Sequence, residues 1–160
     1  MADLTLGAPL PGVVTALADV PDEVFATAMI GPGVAVRPSA ADAPAGAAGR
    51  LDVVAPCAGT LVKVHPHAVA LEAAGGVGVL VHLGIDTVGL GGEGFEVLVA
   101  DGDAVVAGQT LLRWDTTVAL AAGLSVLSPL VVIQGGDEVF TLVEPGTVVA
   151  PGDPLLRVTA

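Results

Sequence analysis

Basic side chains are scarce in this sequence of 160 residues. Five Lys and Arg residues stand against seventeen Asp and Glu residues, which gives a formal net charge of −12 at pH 7. Proteins that bind nucleic acids or anionic lipids use a basic surface to neutralise phosphate groups, and five such residues cannot supply one. The charge balance therefore excludes nucleic-acid binding, argues against direct membrane association, and favours protein partners with a basic surface.

Cysteine is nearly absent as well, since Cys57 is the single one in the chain. An intrachain disulfide is therefore excluded, which fits a reducing compartment. The N-terminus has neither a basic cluster nor an apolar run, so no signal peptide is predicted. Charges are missing between Asp115 and Asp137, but Gly123 and Pro129 interrupt that stretch. We therefore expect no membrane span and a cytoplasmic location.

Glycine and proline, by contrast, are abundant, with 22 and 12 residues, and 53% of the chain is hydrophobic. Short Val- and Leu-rich runs bounded by turn residues predict an all-β fold in a single domain, residues 1–160. The segment Val99–Trp114 (VADGDAVVAGQTLLRW) aligns without gaps with Val143–Val158 (VEPGTVVAPGDPLLRV). Weaker echoes occur at Pro9–Gly12 and Pro56–Gly59. We predict an antiparallel β-sandwich or barrel built on this duplicated strand–Gly–strand hybrid motif.

Two segments favour short helices. Val20–Phe25 places Pro and acidic residues where a first helical turn prefers them, and Thr116–Leu124 is rich in Ala and Leu. Between the predicted strands, Ser39–Gly49 consists almost entirely of Ala, Gly, Pro, Ser and Asp, a composition typical of a loop.

The three histidines are the candidate chemical groups. His82 follows an apolar run, and strand alternation would point its side chain away from the side that Val81 and Leu83 occupy. His65 and His67 are two residues apart, so a regular strand would place both on the same side, although the proline between them indicates an edge or an irregular strand. Facing histidines with a nearby carboxylate fit a metal site, proton transfer or phosphoryl transfer through histidine.

Seven segments, in this order, resemble the glucose-family IIA proteins of the sugar phosphotransferase system (PTS). They are Ala8–Gly12 (APLPG), Val20–Phe25 (VPDEVF), Gly31–Pro38 (GPGVAVRP), Val54–Gly59 (VAPCAG), His67–Ala68 (HA), His82–Val88 (HLGIDTV) and Gly92–Phe95 (GEGF). Because these motifs run over almost the whole chain, the resemblance is far more specific than a lone His-x-x-x-Asp pattern. It implies one IIA domain of the transferase class.

The resemblance also implies roles for three residues. His82 would accept the phosphoryl group as a tele-phosphohistidine, His67 would hydrogen-bond that group, and Asp86 would set the electrostatics of the site. The donor would be the histidine-containing phosphocarrier protein HPr, and the acceptor the IIB domain of a glucose, N-acetylglucosamine, sucrose or β-glucoside permease. A neutral imidazole is available near pH 7 because its ordinary pKa is about 6.5. No cofactor would be required.

Some positions depart from the usual family pattern. His65 stands where many members have Thr, and it would either add a third imidazole to the site or bond as the Thr would. We expect an apolar rim that includes Val34, Val36 and Leu80 to suit the transient docking of HPr.

Two other classes of protein share parts of these patterns. Certain zinc endopeptidases bind their metal through His-x-x-x-Asp and His-x-His motifs, which occur here at His82 and Asp86 and at His65 and His67. Their order along this chain is reversed, and no further catalytic histidine remains, but zinc held by His67 and His82 stays open. A biotinyl or lipoyl carrier would need a lysine at a turn, and the one lysine, Lys63, lies in a strand-like run.

Overall fold

The computed structural model describes residues 3–38 and 50–159, so the loop expected at Ser39–Gly49 lies outside the described residues. Within these ranges the chain forms fourteen strands and two short α-helices. The first seven strands are β1 (Leu4–Gly7), β2 (Gly12–Ala16), β3 (Gly33–Pro38), β4 (Arg50–Val54), β5 (Gly59–His65), β6 (Ala68–Ala73) and β7 (Val77–His82). The others are β8 (Phe95–Val97), β9 (Ala104–Val105), β10 (Thr110–Asp115), β11 (Ser128–Gln134), β12 (Glu138–Thr141), β13 (Val148–Val149) and β14 (Pro154–Thr159). The helices are α1 (Glu23–Ala26) and α2 (Thr116–Ala121).

The strands form one large sheet and two small ones. The large sheet has eight strands in the order β13-β2-β3-β11-β7-β6-β5-β9, and the two three-stranded sheets have the orders β1-β14-β12 and β4-β10-β8. Every strand pair among the described residues is antiparallel. The prediction of an antiparallel β architecture with a few short helices is thus confirmed.

The sequence repeat is visible as a repeat of backbone hydrogen bonds. In each copy, two turn glycines donate their N–H groups to carbonyl groups of an earlier segment. The four bonds are Gly102 to Leu61 (2.7 Å), Gly108 to Ala55 (2.9 Å), Gly146 to Val14 (2.8 Å) and Gly152 to Ala8 (2.9 Å). The weaker echoes take part as well, because Gly59 pairs with Val105 and Gly12 pairs with Val149. The duplicated motif therefore organises both ends of the large sheet.

Both helices begin at an aspartate that caps them. Asp22 Oδ1 accepts the backbone N–H groups of Val24 and Phe25 at 2.9 and 3.4 Å, and Asp115 accepts that of Thr117 at 3.0 Å. Among the described residues, no helix is long and apolar enough to cross a bilayer.

A small hydrophobic cluster joins α1 to the large sheet. Its fully or nearly buried members are Leu17, Val20, Phe25, Ala35, Ile85 and Val131. It packs beside the main core, which includes Val79, Val81 and Leu83 around β7. This second cluster brings the start of the chain next to the end of β7, where His82 lies.

Candidate functional site

His82 is the last residue of β7, in the interior of the large sheet. Burial alternates along this strand: Val77, Val79 and Val81 are buried, whereas Gly78, Leu80 and His82 are only partly buried. The side-chain direction expected for His82 is therefore correct, because the strand is regular up to its last residue. On one side β7 pairs with β6, which places His82 opposite Ala68, and on the other side it pairs with β11.

The backbone just after β7 fixes the ring of His82. Its Nδ1 atom lies 2.7 Å from the carbonyl oxygen of Gly84. A carbonyl oxygen only accepts, so Nδ1 carries the hydrogen and, in the neutral ring, Nε2 keeps its lone pair. Gly84 has φ of +75°, and a Cβ atom there would lie 2.7 Å from Cγ2 of Thr87. Glycine at this position thus lets the chain turn its carbonyl group onto the histidine.

His67 and His65 extend the site away from His82. The rings of His67 and His82 meet edge to face with centroids 5.3 Å apart, and those of His65 and His67 stack at 5.6 Å with an interplanar angle of 27°. His65 is the last residue of β5, whereas His67 lies in the turn before β6. The turn is fastened to the end of β7 by the N–H of Leu83, which donates to the carbonyl oxygen of His67 at 2.8 Å. All three histidines that the sequence singled out are therefore gathered in one row.

On its other side His82 contacts α1, which sequence reasoning did not assign to the site. The ring of Phe25 lies 5.1 Å from that of His82 at an interplanar angle of 57°. The cap residue Asp22 is close enough for its charge to raise the pKa of His82. In the sequence, Pro21 and Asp22 predicted the start of a helix, but they did not predict that this helix contacts His82.

The pKa values of both inner histidines lie below their ordinary value. Burial lowers the pKa of His82, and the bond to Gly84 and the charges of Asp22 and Asp86 oppose this only in part. Burial also lowers the pKa of His67, and the neighbouring His82 and His65 add to the effect. Both rings are therefore neutral at pH 7, so His82 has a nucleophilic nitrogen and His67 has one N–H to donate.

Asp86 joins the site through an unusual backbone conformation. It has φ of +61° and precedes a short 3₁₀ turn over Thr87–Leu90. The Oγ1 hydroxyl of the buried Thr87 donates to the carbonyl oxygen of Leu83 at 2.6 Å and ties this turn to the residue after His82. The HLGIDT motif thus places Asp86 near the ring as well as fixing the ring itself.

The apolar rim differs from the expected one. Val34 and Val36 are 3% and 0% exposed, so the prediction that they line a docking surface is wrong. Strand β3 lies between β2 and β11, and Val34, Ala35 and Val36 are all buried because the strand is covered on both faces. Leu80 is partly buried and packs on the small cluster.

Exposed apolar side chains occur on the segments that flank the histidine row. Val24 in α1 is 42% exposed, and Val88, two residues after Asp86, is 65% exposed. A cavity of about 650 Å³ lies elsewhere, beside Phe95 and Trp114, and contains none of the histidines. His65 is exposed and His67 and His82 are only partly buried, so the histidine row is accessible to another macromolecule. Among the described residues, no group of three or more His, Cys, Asp and Glu side chains is arranged to hold a metal ion.

Comparison with known proteins gives concordant matches. A family model described as the phosphoenolpyruvate-dependent sugar phosphotransferase system, EIIA 1, matches residues 4–138. The chain is 40% identical over 132 residues to the PTS system glucose-specific EIIA component of Staphylococcus aureus (strain N315), covering 81% of this chain and 74% of that protein. It is 40% identical over 157 residues to the N-acetylglucosamine-specific EIICBA component of Klebsiella pneumoniae, covering 96% of this chain. It spans only 23% of that longer relative.

A solved structure is similar over nearly the whole chain. Glucose permease IIA from Mycoplasma capricolum superposes with a TM-score of 0.84 and 34% sequence identity, covering 98% of this chain and 96% of that one. The antiparallel β architecture is thus that of a solved fold.

Proposed function

This chain belongs to the EIIA 1 family of the phosphoenolpyruvate-dependent sugar phosphotransferase system, and we propose that it is a glucose-type phosphocarrier that takes up a phosphoryl group on Nε2 of His82. The observation that carries the assignment of the atom is the 2.7 Å bond between Nδ1 of His82 and the carbonyl oxygen of Gly84. This bond leaves Nε2 as the only ring nitrogen with a free lone pair.

The transfer itself is a nucleophilic displacement at phosphorus. The Nε2 lone pair forms the new N–P bond while the N–P bond to the donor histidine breaks, and the donor nitrogen keeps the bonding electron pair. No proton is exchanged in this step: Nδ1–H of His82 stays bonded to Gly84 and the phosphorylated ring becomes an imidazolium, while the donor ring, protonated on its other nitrogen before transfer, leaves as a neutral imidazole. Such transfers depend on positioning and on stabilisation of charge more than on other covalent help.

His67 supplies the stabilisation in this proposal. Its ring lies beside that of His82, with centroids 5.3 Å apart, and its lowered pKa keeps it neutral at pH 7. A neutral imidazole with one N–H can donate a hydrogen bond to an oxygen of the phosphoryl group without forming a strong ion pair. The phosphoryl group is therefore oriented but remains transferable.

Two carboxylates destabilise the bound phosphoryl group in this proposal, whereas His67 stabilises it. Asp22 and Asp86 both lie close enough to His82 to affect its charge, and each would repel the phosphoryl dianion. We propose that this repulsion raises the free energy of the phosphorylated state and so favours onward transfer. The carrier would then deliver its phosphoryl group instead of retaining it.

The partners follow from the family and from the accessible histidine row. HPr is the proposed donor, and the IIB domain of a glucose-type sugar permease is the proposed acceptor. The EIICBA relatives combine A, B and C components in one protein, which fits passage of phosphate from the A to the B component. The excess of acidic residues favours the encounter with a basic donor surface, and the cytoplasm is the proposed location.

We propose further that the reaction requires no metal ion and no cofactor, because His82 supplies the attacking nitrogen and His67 the hydrogen-bond donor. Zinc could still occupy the pair, since neutral imidazoles are common zinc ligands. Phosphoryl transfer should therefore persist after dialysis against a chelator, whereas a strict need for zinc would contradict the proposal.

One assay tests the central assignment. The protein is incubated with phosphoenolpyruvate, enzyme I and HPr, and the acid-labile phosphate bound to it is measured. We expect one phosphate per chain in the natural protein and none in His82→Ala. Val106→Ala, which alters a 65% exposed side chain outside the histidine row, is the surface control and should be labelled normally. Label that persists in His82→Ala would refute the assignment.

A further inference from the structure

His65 is the member of the histidine row that acceptance and hydrogen bonding of the phosphoryl group leave unused. It is the last residue of β5, and its backbone is fixed in the sheet opposite Ala68. Its side chain is exposed, and its ring stacks on that of His67 with centroids 5.6 Å apart and an interplanar angle of 27°. Among the described residues, His65 makes this ring contact with His67 and none with His82.

The ring of His67 has two aromatic neighbours. The residue lies in the turn between β5 and β6, where its backbone carbonyl accepts the N–H of Leu83. Within residues 3–38 and 50–159 its ring makes no hydrogen bond, and its ring contacts are those with His65 and His82. The outer torsion of a histidine side chain has a broad energy minimum, so neighbouring rings such as these two can bias the direction of its N–H.

The two contacts differ in kind. His82 meets His67 edge to face, at an interplanar angle of 75°. His65 presents an offset ring inclined by only 27° to that of His67. Stacked aromatic pairs favour a definite relative orientation, and here one partner is anchored in a strand while the other lies in a turn.

We propose that His65 is a positioning residue for phosphoryl transfer: its stacked ring holds His67 in the orientation that donates to the phosphoryl group on His82. This inference rests on the proposed function of His82 and His67. His65 acts through His67 and does not touch the reacting atoms. Its contribution comes from the flat ring, so another flat ring should replace it.

The test compares His65→Ala with His65→Phe, which keeps a flat ring and removes both ring nitrogens. Each variant is labelled with phospho-HPr, and the rates of acceptance and of transfer to the IIB domain of the Klebsiella pneumoniae EIICBA relative are measured separately. We expect His65→Ala to slow onward transfer by about 2- to 10-fold, the range that loss of one aromatic pair gives. Acceptance should change less, and His65→Phe should restore the rate.

Introducing His65→Ala into the His67→Ala variant measures the coupling between the two residues. If His65 acts through His67, His65→Ala should cause no further loss in that background. An unchanged rate in His65→Ala, a His65→Phe variant as slow as His65→Ala, or an equal loss in the presence and absence of His67 would each overturn the proposal.

A second measurement does not depend on phosphoryl transfer. Side-chain NMR of the unphosphorylated protein should show contacts between the ring protons of His65 and His67, and the His67 ring signals should shift in His65→Ala and return towards their original positions in His65→Phe. His67 signals that are unaffected by His65→Ala would overturn the positioning role. Absence of phosphate on His82 would instead contradict the proposed function, so the two failures are distinguishable.

Discussion

Nδ1 of His82 lies 2.7 Å from the carbonyl oxygen of Gly84, two residues further along the chain. This contact selects one of the two neutral forms of the ring, because the oxygen can only accept. Nitrogen NMR of the unphosphorylated protein at pH 7 should therefore show the hydrogen of His82 on Nδ1, and the phosphorylated protein should carry phosphorus on Nε2. A hydrogen on Nε2 in the free protein would contradict the role given to Gly84.

Replacement of Gly84 by Ala should damage both folding and transfer. An added Cβ atom would lie 2.7 Å from Cγ2 of Thr87 and 2.8 Å from the carbonyl oxygen of Ser125, at a φ of +75°. We expect the free energy of unfolding to fall by about 1–3 kcal/mol and acceptance of phosphate to slow by at least about tenfold, because the carbonyl group would leave Nδ1.

Gly89→Ala is the matched control for this change. An added Cβ atom at Gly89 meets nothing within 4 Å, although the residue lies in the neighbouring 3₁₀ turn. Denaturant unfolding and labelling by phospho-HPr should both remain close to those of the natural protein. A Gly84→Ala protein that behaves like this control would refute the argument.

The charge of Asp22 should affect both the basicity of His82 and the onward transfer. Asp22→Asn removes the charge but keeps a side chain that caps helices equally well, so α1 should be retained. Asp22 raises the pKa of His82, and its loss should lower that pKa further. NMR titration of the ring protons measures this directly, and a pKa that rises or stays unchanged would contradict the assignment.

The same variant should transfer its phosphoryl group to a IIB domain more slowly, because a repulsion of the dianion is removed. Asp86→Asn should act in the same direction, since Asp86 also raises the pKa of His82. Rates of onward transfer that equal those of the natural protein in both variants would show that the carboxylates do not control delivery.

His67→Ala should reduce delivery more than uptake. His82 keeps its bond to Gly84 in this variant, so its Nε2 remains able to attack. The oxygens of the bound phosphoryl group lose their proposed donor, and the group is no longer oriented for its acceptor. Single-turnover labelling followed by addition of the IIB domain separates the two rates, and an equal loss in both would contradict this division of roles.

Stability should depend on pH through the two inner histidines. Their pKa values are lowered in the folded protein, so below about pH 6.5 the unfolded chain binds protons that the folded chain does not. The free energy of unfolding should be unaffected by these groups above that pH. It should decrease as the pH falls from 6.5 through the folded pKa values, and this contribution should then level off.

His82→Gln tests this dependence. Replacing the titrating ring should flatten the fall in the free energy of unfolding below about pH 6.5. Urea unfolding at a series of pH values provides the measurement. A slope as steep as that of the natural protein would show that His82 does not contribute.

Local patterns were sufficient to predict much of the fold and part of the site. The two Leu-Leu-Arg copies predicted the duplicated hairpins, and the alternation along β7 predicted the direction of His82, because both features repeat over a few residues. Asp22 and Phe25 could not be assigned to the site in this way. They reach His82 through packing of the small cluster that brings α1 to the sheet, and no local pattern encodes that contact.

The error at Val34 and Val36 has a different physical origin. A docking rim requires these side chains to be exposed, but β3 lies inside the large sheet and is covered on both faces. A strand buried on both faces has a continuous apolar run instead of an alternating one. The sequence Val34-Ala35-Val36 has that form, so the signal was present and was misinterpreted.

Strand β11 pairs with both β3 and β7, which lie far earlier in the chain. The helix that carries Asp22 and Phe25 precedes β3, while His82 ends β7, so the two halves of the site are bridged by a strand translated after both. During synthesis both halves of the site therefore emerge before the strand that joins them. Loop-closure entropy makes such distant pairings slow to form. A nascent chain that ends before β11 would thus contain every residue of the phosphoryl site but lack the strand that joins the side carrying Asp22 and Phe25 to the side carrying His82.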